Sequence, residues 1–136
     1  MSSPNREEVN EILRDAKRIA VVGLSDNPTR TSYQVTEALL AAGYEIIPVN
    51  PVIEEVFGRK AVSSVTDIEG DIDIVNVFRR TEFLPEIAEE TAKTNAKVFW
   101  SQLGLASDEA EQIALKAGKK VVMDRCIKIE LAYLNK

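Results

Sequence analysis

The 136-residue sequence contains no histidine. That absence removes Ser-His-Asp and Cys-His nucleophilic catalysis, phosphohistidine chemistry and every histidine-ligated metal site. A single cysteine, Cys126, leaves no partner for a disulfide within the chain, so a reducing compartment, the cytoplasm, is expected. Positive charge is also scarce: 17 Lys and Arg against 22 Asp and Glu give a net charge of −5. Non-specific nucleic-acid binding needs a basic surface, and this chain lacks one. A local basic pocket for a small anion is compatible with the same balance. No apolar run approaches the roughly 20 residues that span a bilayer, and Met1 to Glu8 hold no apolar stretch that could act as a signal peptide. The 6 glycines and 5 prolines are too few and too scattered for a linker or a disordered chain, so residues 1–136 read as one domain. A ligand-binding module, an enzyme using carboxylates or a cofactor, and an interaction domain all survive.

What is present is an alternation. Helix 1 is expected to start after Ser2 or Ser3, with Pro4 in its first turn and Val9, Ile12, Leu13 and Ala16 on one apolar face. Ile19–Val22 is a continuous apolar run ending at Gly23, the pattern of a buried strand. The unit repeats. Val35, Ala38, Leu39 and Ala42 form a helical face closed by Gly43, and residues 45–49, 72–78, 97–100 and 120–123 read as further strands. Ser107 is expected to cap a helix ended by Gly118. Residues 51–70 are less regular and read as a connection with one short strand or helical turn. Strands alternating with helices of about 11 residues imply an α/β domain, a doubly wound parallel sheet of about five strands. The economical strand order is 3-2-1-4-5.

Such a sheet binds ligands beyond the carboxyl ends of its strands, where the strand order reverses. The loops there collect unusual residues. The first runs from Gly23 through Arg30 and Ser32 into a helix, where free amides and the dipole favour an anion. Ser25 and Ser32 add hydroxyls, and Arg30 a charge suited to phosphate; an ordinary polar loop with Thr31 or Ser32 as the cap is the plainer alternative. Asn50-Pro51 makes a rigid turn after the second strand. Of Arg79-Arg80 after the third, one is expected to face the cleft, unless both are merely solvated. Trp100 serves either as core or as a stacking platform, and Gln102 can reach into the cleft. Cys126 stands at a helix start beside Arg125, features that lower a thiol pKa, although buried inert cysteine is the common case. The dinucleotide fingerprint is absent, with Gly23 its sole counterpart and Asn50 where an NAD binder places Asp or Glu. The Gly-Lys-Ser/Thr phosphate loop is missing as well.

These residues carry a resemblance. Val21-Val22-Gly23-Leu24-Ser25 with Pro28 to Tyr33, Gly43-Tyr44-Glu45 with Pro48 to Pro51, Val77 to Arg80, Trp100 to Gly104 and Met123 to Glu130 follow in order. The chain resembles the small stand-alone CoA-binding proteins, whose domain is similar to the N-terminal domain of the succinyl-CoA synthetase α subunit. The resemblance implies a Rossmann-like domain with coenzyme A as its ligand. It places Gly23, Leu24, Ser25, Arg30, Ser32 and Tyr33 at the phosphates, Asn50 and Pro51 by the adenosine, and Phe78 and Arg79 along the ligand. Asp26, Asn27 and Pro28 stand where the ligase loop has further glycines, and the ligase phosphohistidine has no counterpart here. A non-catalytic carrier or sensor of CoA or an acyl-CoA is therefore expected. The alternative is an enzyme subunit using Cys126 or an unseen partner; a protein partner or homo-oligomer stays open.

Overall fold

Asn5 starts the first helix. In the structure, a computed structural model that describes residues 4–134, the Asn5 side chain accepts from the Glu8 amide at 2.9 Å while the Glu8 carboxylate accepts from the Asn5 amide. This reciprocal capping box opens α1 (Arg6–Asp15). Pro4 therefore precedes the cap instead of lying in the first turn; Ser2 and Ser3 lie outside the described residues.

The elements that follow are β1 (Arg18–Val22), α2 (Thr31–Ala41), β2 (Glu45–Val49), a hairpin of β3 (Glu55–Val56) and β4 (Arg59–Lys60), and β5 (Ile74–Val77). Then come α3 (Leu84–Ala92), β6 (Val98–Ser101), α4 (Asp108–Lys116), β7 (Lys120–Val122) and α5 (Ile127–Leu134). Ser107 caps α4 as expected, accepting from the Ala110 amide. The five long strands form one parallel sheet in the order β2-β1-β5-β6-β7. Alternate strand residues feed two cores. Ile19, Val21, Ile74, Val98 and Trp100 pack under α1, α2 and α5. Ala20, Val22, Val75, Val77 and Phe99 pack under α3 and α4. The α/β class and the doubly wound parallel sheet are as the sequence implies.

The strand order differs from expectation. Numbered among the long strands it is 2-1-3-4-5, not 3-2-1-4-5: the third, β5, lies beside β1 and not beyond β2. The cause is the connection. Val62 forms a parallel bridge with Val49, the Asn50 amide donates to Val62 O and the Val62 amide to Pro48 O, so the connector itself covers the outer edge of β2. Asp73 then fixes β5 against β1, its carboxylate accepting from the Lys17 and Arg18 amides at 2.8 and 2.9 Å. The order reverses between β1 and β5, and the loops after those two strands part there.

Candidate functional site

Gly23 ends β1 with φ +84° and its amide donates to Val49 O at 2.8 Å. A Cβ at this position would stand 2.8 Å from Phe78 O and 3.0 Å from the Arg79 Cδ. Only glycine lets the two loops approach so closely, and its conformation is one that side chains avoid. The loop beyond it is knit internally. Ser32 Oγ accepts from the Ser25 amide, Ser25 Oγ from the Asn27 amide, and Asn27 Oδ1 from the Thr29 amide and hydroxyl. Each serine hydroxyl that accepts in this way keeps its own proton to donate.

The loop delivers the chain to α2, whose N-cap is Arg30, with no side chain closing the helix end. Ser32 serves the loop and does not cap, so the first-turn amides stay open and the positive end of the helix dipole faces outward. Gly23, Ser25, Arg30, Thr31, Ser32 and Phe78 border a cleft of about 560 Å³ at this point. Arg30 is exposed, and among the described residues no carboxylate pairs with it or with Arg79. Arg79 lies over the Phe83 ring at 4.5 Å, whereas Arg80 is exposed and paired with Glu82. Arg79 is the more buried of the two adjacent arginines, and Arg80 also reaches the Phe83 ring at 5.5 Å.

Thr31 and Phe78 also border a second, mostly apolar hollow of about 460 Å³, with both Arg79 and Arg80, Gln102, Leu103, Leu105, Cys126 and Ile129. Its walls are two cross-tied loops. The Gly104 amide donates to Asp124 Oδ1, the Asp124 amide to Leu105 O, the Ile127 amide to Gln102 Oε1 and the Trp100 indole to Arg125 O. Arg79 further lines a third hollow with Val49, Pro51, Ser63 and Phe83. The first two hollows share Thr31 and Phe78, the second and third share Arg79, and together they run across the β1–β5 crevice.

Gly23, Ser25, Arg30, Ser32, Phe78, Arg79, Gln102 and Cys126 therefore meet at one place, and Pro51 joins through the third hollow. Four expected residues do not. Leu24 is fully buried, its side chain in the core. Tyr33 stacks on Phe57 of the hairpin turn at 4.4 Å. Asn50 ties loops together, donating to Leu24 O and accepting from the Val52 amide. Trp100 is core: its ring is buried under the α1/α2/α5 layer and its one donor is taken by Arg125 O. The Arg125 guanidinium is directed away from the hollow, pairing with Glu130 at 3.5 Å and donating to Pro4 O. Thr31, Leu103, Leu105 and Ile129 line the clefts without having been singled out. Thr31 could have been found as the first residue of an uncapped helix; the three aliphatics look in sequence like core residues.

A further hollow at the opposite end of the sheet is bordered by Asp15, Asp73, Asn95, Lys97, Lys119 and Lys120. Asp73 there is bound by two amides and by Lys97 at 3.3 Å, and the Lys119 ammonium donates to Thr94 O at 2.6 Å. Burial lowers the Lys119 pKa. These contacts brace that end of the sheet. Among the described residues no helix is long and apolar enough to cross a membrane, and no cluster of acidic or cysteine side chains could hold a metal ion.

The chain is 58% identical to the protein YneT of Bacillus subtilis (strain 168) over 129 residues, 95% of this chain and 96% of that one. It superposes on the structure of a Pyrococcus horikoshii OT3 protein with a TM-score of 0.94 and 39% identity, covering 98% and 94% of the two chains. It is 26% identical to the ADP-forming acetate–CoA ligase of Methanocaldococcus jannaschii over 88% of this chain, which spans 18% of that enzyme's length. Residues 17–132 match the model of the CoA-binding domain, and the chain belongs to that family.

Proposed function

We propose that the protein is a non-catalytic binding module for coenzyme A or an acyl-CoA, working as a carrier or sensor of that ligand. The ligand's phosphates sit against the first turn of α2, where open amides, the Ser25 and Ser32 hydroxyls and Arg30 surround an anion. Arg79 stands between the hollows and meets the same charge. The adenosine lies toward Pro51, and the pantetheine arm passes Phe78 into the apolar hollow that Cys126 borders. The observation that carries this reading is the uncapped α2 terminus opening on the β1–β5 crevice beside Arg30 and Arg79, which pair with no carboxylate among the described residues. The likeness to an ADP-forming acetate–CoA ligase and the family match support CoA binding at the level of the domain. Native mass spectrometry of freshly purified protein tests the proposal. One CoA or acyl-CoA mass per chain, lost on denaturation, is expected; a chain that stays bare when CoA is added contradicts it.

A further inference from the structure

The hollow beyond Phe78 is larger and more apolar than a thiol end requires. It holds about 460 Å³, and Leu103, Leu105 and Ile129 supply its aliphatic wall. Leu103 is 65% and Ile129 51% exposed, and they stand together with Leu105 on one hollow instead of being scattered singly over the surface. Their backbone is held firmly. The loop before Leu105 is tied to Asp124, and α5 begins with its Ile127 amide on Gln102. The apolar wall is thus pre-formed, which spares a ligand the cost of ordering it. One end of the continuous cleft offers open amides and arginines, and the other offers aliphatic side chains, with Thr31 and Phe78 common to both. An occupant matching both ends has an anionic head and an apolar tail.

We infer that this hollow is an acyl-chain site, and that the protein prefers a thioester of CoA bearing a straight aliphatic chain over free CoA. The inference rests on the proposed CoA reading and names the ligand class within it. The acyl chain covers Leu103 and Ile129 at the mouth and meets Leu105 and the Phe78 ring inside. No covalent step is involved.

The test is titration calorimetry with free CoA and with acetyl-, butyryl-, hexanoyl- and octanoyl-CoA. Affinity should rise about two- to fourfold per added methylene until the hollow is full. Leu103→Asp and Ile129→Asp change exposed side chains, and each should flatten that chain-length slope within its own series. Leu115→Asp, on an equally exposed residue of α4 away from the cleft (48% exposed), should keep it. A flat slope in the wild type overturns the inference while tight binding of free CoA leaves the CoA reading standing. A slope that persists in both cleft variants overturns the placement of the chain in this hollow. Binding of no CoA species at all overturns the reading and the inference together.

Discussion

At the residue scale the cleft divides into groups that hold it and groups that face a ligand. Gly23 belongs to the first. Its φ of +84° and the 2.8 Å approach of Phe78 O mean that Gly23→Ala forces β1 and β5 apart at the crevice. A loss of about 1–3 kcal/mol of stability, read by urea denaturation, should accompany loss of CoA binding. Arg30 belongs to the second group. It is exposed and forms no ion pair among the described residues. Arg30→Ala should weaken CoA binding about ten- to hundredfold, as expected for loss of one charge-assisted contact. Its ligand-free melting temperature should stay unchanged. Arg79→Ala should weaken binding similarly but also lower the melting temperature by a few degrees, because the Phe83 contact at 4.5 Å goes with it. If both variants bind normally, the arginines are surface charges and the phosphate assignment fails.

At the scale of elements, the arrangement turns on how β5 reaches β1. Most helices and strands are legible from apolar spacing and from Gly43, Ser107 and Gly118, because those signals act within a few residues. The strand order is not legible in that way. It depends on Val62 meeting Val49 and on Asp73 meeting the Lys17 and Arg18 amides, pairings that no local pattern announces. Burial would raise the Asp73 pKa, but the hydrogen bonds from the Arg18 and Lys17 amides, with Lys97, outweigh it and hold the carboxyl below its ordinary value. The folded-state pKa is depressed, so Asp73 stabilises the fold above the ordinary carboxylate range and that contribution is lost as pH falls through the folded value. Asp73→Asn should therefore cost about 1–3 kcal/mol at pH 7. The gap to wild type should narrow below about pH 4, as equilibrium unfolding across pH would record. A gap independent of pH would show that the carboxylate charge does not hold β5 in place.

At the scale of the whole molecule, the corrected order changes what is near what. β7 stands three places from β1 in the sheet, yet Cys126 and Thr31 border the same hollow because the loop after β7 folds back over the strand ends. Sequence reading and the structure point to the same end of the sheet, since polar and glycine residues gather after every strand there. It could not separate cleft residues from those that brace the cleft: Trp100, Asn50, Tyr33 and Leu24 share the loops but turn inward or bind backbone. Nor could it find Leu103 and Ile129, whose exposure is set by packing between distant segments. The acidic chain nonetheless keeps together in one crevice an uncapped helix end and two arginines that pair with no carboxylate among the described residues.

Calorimetric titration of the ligand-free protein with CoA, alongside NAD and a small adenine nucleotide without the pantetheine arm, tests that central claim most directly. One CoA per chain is predicted, with weaker binding of the small nucleotide because the apolar hollow stays unfilled. No heat with CoA and clear binding of NAD would contradict it.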